Sequence, residues 1–431
     1  MSVPLLESSP VSPAYGELPR LLIGVADGPV DLTRHLRLHG SAPTTAALTE
    51  VVEDAGLLGR GGAAFPLSRK LAAVSAAATR QGLAAVVVAN AAEGEPASAK
   101  DRVLLTHAPH LVLDGLRLAV AATGASTAYL YVHADRALVE TCRRALAERS
   151  VARVDPVPVT LVEVAPRFIA GEESAVVRRL GGGRALPMFT PVRVSDRGVG
   201  RRPTLVSNVE TLAHLALVAR HGAQWFRSVG TDDEPGSMLV TVHRPGAPAG
   251  VREVAIGTPL ASLVPLEEPA GAVLIGGYHG TWVSVAQAGR LRLADTELAS
   301  VGARRGAGVL AVLPADRCGV VESARVLRYL AMESAGQCGP CLNGLPRIAV
   351  AMADLAAGRA RPGVLGELRR WAGLVTGRGA CHHPDGSVRL LASALRTFGA
   401  EVEHHLRGRC SHSDGAPFLP TPGIDGSGVH R

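Results

Sequence analysis

The sequence predicts an α/β chain that runs into a small β-rich module and then into helices. Three observations predict this. The apolar run Leu83–Asn90 ends abruptly in a polar cluster, as a buried parallel strand does when it delivers residues at its carboxyl end. Further short apolar runs, Ala128–Val132 and Val159–Val164, alternate with segments of helical period. Near Ser237 the texture changes to apolar–polar alternation with Gly/Pro turns, and from Arg317 it becomes helical.

With 431 residues, the chain exceeds the usual size of one domain. A hydrophobic content of 47% with 19% charge supplies large cores and excludes wholesale disorder. The net charge of +7 is carried by scattered arginines, and aromatics are only 3%, which argues against nucleic-acid binding. An anionic cofactor or an acidic partner accounts for the basicity equally well. No apolar run reaches the roughly 18 residues of a membrane span, and the first twenty residues lack a signal-peptide pattern. A cytoplasmic protein is expected.

The element order begins with a lead-in over residues 1–44, in which Leu21–Val25 reads as a strand. Residues 45–58 read as a helix that enters Gly59-Arg60-Gly61-Gly62-Ala63-Ala64, and Phe65-Pro66 reopens a helix from Leu67. Three glycines in four positions permit φ > 0 and a close backbone approach to a ligand. Successive N–H groups before a helix N-terminus make an anion site, flanked here by Arg60 and Lys70. An ordinary helix–turn–helix link would look similar.

The strand over Leu83–Asn90 leads into Asn90 to Arg102, where Glu93, Glu95 and Lys100 make either a site or a solvated loop. Helices follow over His110–Ala122 and Ala137–Glu148, the latter carrying Cys142 as a buried thiol rather than a ligand. After the Val159–Val164 strand, Gly171-Glu172-Glu173 opens a helix, where acids suit the helix dipole as well as a site. Thr204–Ala219 reads as the start of an apolar helix, with Ser207 or Asn208 as a cap or a ligand contact. A β-rich module covers about 237–310, helices reach about His405, and 408–431 reads as a disordered tail with an incidental Cys410.

One count is informative. Only Lys70 and Lys100 are lysines among 45 basic residues, and only Asn90, Asn208 and Asn343 are asparagines. All five fall in the stretches singled out here. A compact ammonium and a short amide are what Arg, Ala and Gly cannot replace.

The six cysteines are too sparse for a disulfide framework. Cys338 and Cys341 form C-x-x-C in a Gly/Pro loop, and Cys381 lies 40 residues beyond Cys341. Such thiolates suit an iron–sulfur cluster. They equally suit zinc with His382 or His383 as the fourth ligand. A redox dithiol is a third reading, without a thioredoxin-like βαβ unit around it.

With these motifs in one chain order, the sequence resembles the NADH-binding flavoprotein subunit of respiratory complex I and its relatives in soluble hydrogenases and formate dehydrogenases. The family stretches GRGGAGFPxGxKW, NADExEPGxxKDR, YICGEETAL, NNVETL and ESCGxCxPCRxG correspond to Gly59–Leu71, Asn90–Arg102, Phe168–Val176, Ser207–Leu212 and Glu333–Gly344. The resemblance implies a Rossmann-like FMN domain over 45–236, a β-grasp domain over 237–310 and a helical bundle over 311–407 holding one [4Fe–4S] cluster. It places FMN on Gly59, Arg60, Gly61, Gly62, Lys70, Asn90, Glu93, Gly171, Glu172, Glu173, Ser207, Asn208 and Thr211. NAD(P)H would stack near Phe65, Glu95 and Glu173. Electrons would pass singly to the cluster and on to an iron–sulfur subunit or ferredoxin-like acceptor.

Departures qualify the match. Ala92 replaces the family's aspartate, Ser207 its first asparagine, and Thr190-Pro191-Val192-Arg193 its Lys-Pro-Pro-Phe segment. Ala335 replaces the first cysteine, leaving Cys338, Cys341 and Cys381 at ligand positions. Cys318, at the start of the helix before the motif, is the expected fourth thiolate. A Cα more than about 12 Å from the other three would exclude it, because each thiolate must reach its own iron. A relay or scaffold subunit with a decayed nucleotide site, zinc-stabilised or not, is the rival expectation.

Overall fold

The computed structural model describes residues 16–266, 270–412 and 417–424. The chain divides into two compact units. The first contains the residues up to Gly94, Ala99–Val240 and Gly250–Thr258; the second contains Glu95–Ser98, Thr241–Ala249 and the residues from Pro259 onward.

The first unit is built on a parallel sheet of β1 (Ala85–Ala91), β2 (Ala125–His133), β3 (Val159–Val164) and β4 (Thr204–Asn208), in the order β3-β2-β1-β4. β1 is buried on both faces. Ala85, Val87 and Ala89 enter one core and Val86 and Val88 the other, which is why the strand reads as an unbroken apolar run. The larger core lies beneath helices Pro109–Thr123 and Val209–Arg227. At its margin a buried ion cluster joins Asp114 to Arg149 (2.8 Å), His35 (2.8 Å) and Arg220.

Two elements differ from expectation. Leu21–Val25 is a turn, not a strand. The amides of Arg20 and Leu21 each donate to Glu253 Oε2 at 2.7 Å and that of Leu22 at 3.3 Å, and three amides converging on one carboxylate cannot also pair in a ladder. Thr204–Asn208 is a strand rather than the first turn of a helix, and the helix begins at Val209.

The second sheet runs in the order β6 (Ala247–Ala255), β5 (Ser237–Arg244), β9 (Val309–Pro314), β7 (Ala270–Ile275), β8 (Thr281–Ser284), and the division between units falls within β5 and β6. β5 and β9 are parallel, whereas β7 is antiparallel to both its neighbours. Helices Gly319–Met332, Leu345–Ala356, Val364–Val375, His383–Thr397 and Gly399–Leu406 complete the second unit. Trp282 of β8 is fully buried against Phe398.

The expected disordered tail needs correction over 417–424; residues 413–416 and 425–431 lie outside the described residues. Leu419 and Thr421 are buried, Phe418 N donates to Glu322 Oε1 (2.6 Å), and Arg325 donates to Thr421 Oγ1 (2.7 Å). Composition alone reads as disorder, but one apolar anchor and two charged partners on a helix hold the segment. Among the described residues, no single helix is long and apolar enough to cross a membrane.

Candidate functional site

In the first unit, strand order reverses between β1 and β4, and open α/β sheets bind ligands at the carboxyl ends of such strands. Asn90 and Asn208 are register partners there. The glycine loop lies over this point: a Cβ on Gly61 would stand 3.3 Å from Asn208 Cβ. Gly62 (φ 96°) and Ala64 (φ 50°) take left-handed backbone. Residues 60–63 form a hydrogen-bonded turn, with the amides of Gly59 and Arg60 fixed by Phe65 O (2.9 Å) and Thr211 Oγ1 (2.8 Å). Successive amides in a turn that enters left-handed backbone form an anion nest.

The flanking charges behave differently from each other. Lys70 Nζ stands 3.1 Å from Val206 O of β4 and 3.1 Å from Glu173 Oε1, and remains partly exposed. The Arg60 guanidinium, expected beside the anion, is buried and donates to Ser237 O (3.2 Å) and Leu58 O (3.1 Å). The buried carbonyls of the turn and of β5 claim it, so Arg60 contributes to the loop's shape rather than to its outward charge.

Asn90 Nδ2 donates to Gly171 O at 2.8 Å, tying the end of β1 to the Gly171-Glu172-Glu173 turn. Here the backbones touch. A Cβ on Gly94 would sit 2.0 Å from Phe168 O, and one on Gly171 2.3 Å from Ala92 O, so both positions require glycine. Glu172 caps the helix Glu173–Leu180 by accepting from Ser174 N and Ala175 N. Glu93 accepts from Asp101 N and Arg102 N at the start of helix Lys100–His107. Ser207 is buried within β4, paired with Ala89. Phe65 is 45% exposed.

Glu95 does not join this group. It belongs to the second unit, where its buried carboxylate accepts from Tyr278 N (2.7 Å) and Ala97 N (3.2 Å). Two of the acceptor positions expected to face a nucleotide are thus taken by backbone amides.

Beneath the switch point lies a buried network that the motifs announce only in part. Lys100 Nζ contacts Asp101 Oδ1 (2.6 Å), Glu210 Oε2 (2.9 Å) and Asn208 Oδ1 (3.3 Å), and Asn208 Nδ2 donates to Asp101 Oδ2 (2.6 Å). Burial alone would lower the lysine's pKa; Asp101, Glu210 and Glu93 outweigh it and hold the ammonium above its ordinary value. Asn208 also caps helix Val209–Arg227 through Glu210 N. Asp101 and Glu210 were legible only as parts of K-D-R and V-E-T. Removing either carboxylate would leave a buried ammonium underpaired, at a cost of about 3–5 kcal/mol. Phe189 also escaped the sequence reading: it is 75% exposed beside Thr190-Pro191, in the segment judged to have lost its aromatic.

In the second unit, Cys338 and Cys341 are neighbours at a π-helical turn, Pro340–Gly344. Burial, with Cys338 beside it, pushes the Cys341 thiol up. Gly344 packs against Val375, six residues before Cys381. The cysteine Cys318 is elsewhere. Its thiol lies 3.2 Å from His405 Nε2 and faces Cys410. His405 in turn meets the carbonyls of Leu355 and Ala356. Those carbonyls end the helix Leu345–Ala356 that starts beside Cys341, and its 12 residues span about 18 Å. The expected fourth cluster thiolate is thus at the wrong end of the helix pair. The histidine completion of a zinc site by His383 is also corrected: its ring is buried between Leu330 O (2.8 Å) and His279 Nε2 (3.1 Å). His382 is fully exposed. A cavity of about 350 Å³ in this unit borders Leu342, Asn343, Arg347 and Glu367.

The nest, Lys70 and the paired asparagines fit a phosphate-bearing flavin. Three of four thiols fit an iron–sulfur cluster, with Ala335 at the remaining motif position. Fold and site therefore define a flavin- and iron–sulfur-binding oxidoreductase subunit. Comparison with known proteins agrees. Residues 52–217 match the Nuo51 FMN-binding domain, and 322–405 match the NADH-ubiquinone oxidoreductase-F iron-sulfur binding region. An NADH-quinone oxidoreductase F-subunit of Rhizobium meliloti (strain 1021) is 31% identical, covering 85% of this chain and 90% of the relative. The NAD-reducing hydrogenase HoxS subunit alpha of Cupriavidus necator is 31% identical, covering 87% of this chain and 62% of that one. A crystal structure of the NAD+-reducing [NiFe]-hydrogenase in the air-oxidized state superimposes with a TM-score of 0.79 at 29% identity, over 95% of this chain and 70% of that chain. The chain belongs to the family of NADH-quinone oxidoreductase F-subunits. It is an NADH-oxidising electron-transfer subunit with an FMN-binding domain and a [4Fe–4S]-binding region.

Proposed function

We propose that the first unit is a Rossmann-like FMN domain whose phosphate site is the glycine turn from Gly61 to Phe65, with Lys70 as its counter-charge. The observation that carries this reading is the glycine turn, left-handed at Gly62 and Ala64 and packed on Asn208, at the β1/β4 switch point. Asn90 and Asn208 hold the strand ends beneath it, and the Glu173 carboxylate that now pairs with Lys70 is displaced or shared when phosphate arrives. The bound flavin supplies the conversion of a hydride pair into single electrons. The exposed rings of Phe65 and Phe189 offer apolar faces for a nicotinamide nucleotide. Choice between NADH and NADPH rests on this exposed segment and on Arg193.

The helical region of the second unit holds the cluster through Cys338, Cys341 and Cys381, and the mixed sheet has the strand content of a β-grasp domain. The electron acceptor is an iron–sulfur subunit or a ferredoxin-like protein. The test is anaerobic purification with an absorbance spectrum before and after NADH. Flavin bands that bleach on NADH addition are expected. Flavin that stays oxidised with NADH yet reduces with dithionite would instead establish the relay role that Ala92, Thr190 and Arg193 favour.

A further inference from the structure

The Cys318 side chain that fails to reach the cluster region stands in a constellation of its own. Among the described residues, Cys318 Sγ, Cys410 Sγ, His405 Nε2 or Nδ1 and a Glu401 oxygen form one group whose ligand atoms all lie within 4.8 Å of one another. We propose that these four side chains bind a zinc ion, and that this ion fastens the returning C-terminal segment to the start of helix Gly319–Met332.

The donors come from three places. Cys318 is the N-cap residue of Gly319–Met332. Glu401 and His405 are four apart on helix Gly399–Leu406, so they share one face. Cys410 follows that helix after a short turn. Two thiolates, one imidazole and one carboxylate are a donor set that zinc accepts in tetrahedral geometry. At bond lengths of about 2.3 Å to sulfur and about 2.05 Å to nitrogen, a tetrahedral S···N edge is about 3.5 Å. Cys318 Sγ and His405 Nε2 are 3.2 Å apart, so an ion needs small outward shifts and no backbone rearrangement.

The surroundings are those of a ligand set rather than of idle thiols. The carbonyls of Leu355 and Ala356 face the His405 ring, which is the outer contact that fixes a ligating imidazole's tautomer. The amides of Val320 and Val321 face the Cys318 sulfur. Glu401 Oε2 is shielded from solvent without a hydrogen bond, and so is His412 Nδ1, 3.3 Å away. Among the described residues, the partner of that carboxylate oxygen is the His412 ring, in ion-pair contact, and a metal ion would meet it from the thiol side. Seven residues beyond Cys410, the described segment 417–424 begins to lie along the same helix, on Glu322 and Arg325, so a metal at Cys410 adds a second tether to that helix.

The test uses the full chain, purified anaerobically from cells supplied with zinc chloride, with zinc, iron and acid-labile sulfide measured per chain. About one zinc per chain is expected. It should be lost in Cys318→Ser and in Cys410→Ser, and retained in Cys142→Ser, while iron and sulfide stay unchanged in all three. That invariance separates this site from the cluster, so either assignment can fail without the other. Cys410 is exposed, so its serine variant folds with little disturbance and circular dichroism confirms it. Replacing zinc by Co2+ should give the visible bands of tetrahedral thiolate-ligated cobalt, absent from Cys410→Ser. A zinc-free wild type, zinc that persists undiminished in both serine variants, or a Cys318–Cys410 disulfide in place of metal would each overturn the proposal.

Discussion

At the scale of single residues, Lys70 is the most informative. In a chain that has substituted arginine almost everywhere, a lysine persists beside the nest, with its ammonium held by Val206 O and Glu173. A guanidinium is larger and forked, and the gap between two acceptors at 3.1 Å admits a compact charge better. Lys70→Gln removes one charge-assisted contact to phosphate, worth about 1.5–3 kcal/mol, and is expected to weaken FMN binding by roughly 10- to 150-fold. Titration of apoprotein with FMN, followed by quenching of flavin fluorescence, measures it. An unchanged affinity would place the phosphate away from Lys70. The same scale explains what sequence reading of side chains gets wrong. Arg60 and Glu95 stand in the right motifs, yet their charged ends turn to buried backbone groups, and no local pattern encodes that direction.

At the scale of elements, the packing of helix Pro109–Thr123 on helix Val209–Arg227 sets how β1 and β4 present their ends. The helices meet at Gly115, where a Cβ would stand 1.8 Å from Leu212 O. Gly115→Ala must therefore push them apart, with an expected destabilisation of about 1–3 kcal/mol and a loosened flavin site. A urea midpoint that does not fall would show that the interface relaxes without cost. Elements differed in how far they could be read. β1 was legible because both its faces are buried, which leaves an apolar run with a polar end. β4 was not, because five residues abut a helix without a Gly or Pro between them, and periodicity cannot split so short a run. The glycine loop, Lys70, Asn90 and Asn208 were legible as types of residue that only a special backbone or a ligand requires. The buried roles of Asp101 and Glu210 were not, since a carboxylate looks the same in a sequence whether it faces water or a lysine.

At the scale of the whole molecule, acid sensitivity follows from histidines that fold uncharged. Burial lowers His110 to about 4, with His35 and Arg149 adding to the effect, and lowers His133 to about 4, with Arg102 adding. Burial, with His35 and Arg220, takes His39 to about 3. Each has an ordinary value of 6.5, so below that pH the unfolded chain binds protons that the folded chain refuses. The stability these groups contribute is fully present above pH 6.5 and is lost as the pH falls toward their folded values. Asp114, held below the ordinary carboxylate range by His35, Arg149 and Arg220 against its burial, acts in the same sense at lower pH. Glu253, whose burial raises it, acts in the opposite sense as a single group. His110 and His133 together should cost roughly 2 kcal/mol between about pH 6.5 and about pH 5.5. Urea midpoints across that range should fall, and His133→Phe should remove roughly 1 kcal/mol of the loss. A midpoint that holds steady or rises on acidification would mean that these rings already carry protons in the folded chain, and that the arginines beside them are screened by some other negative charge.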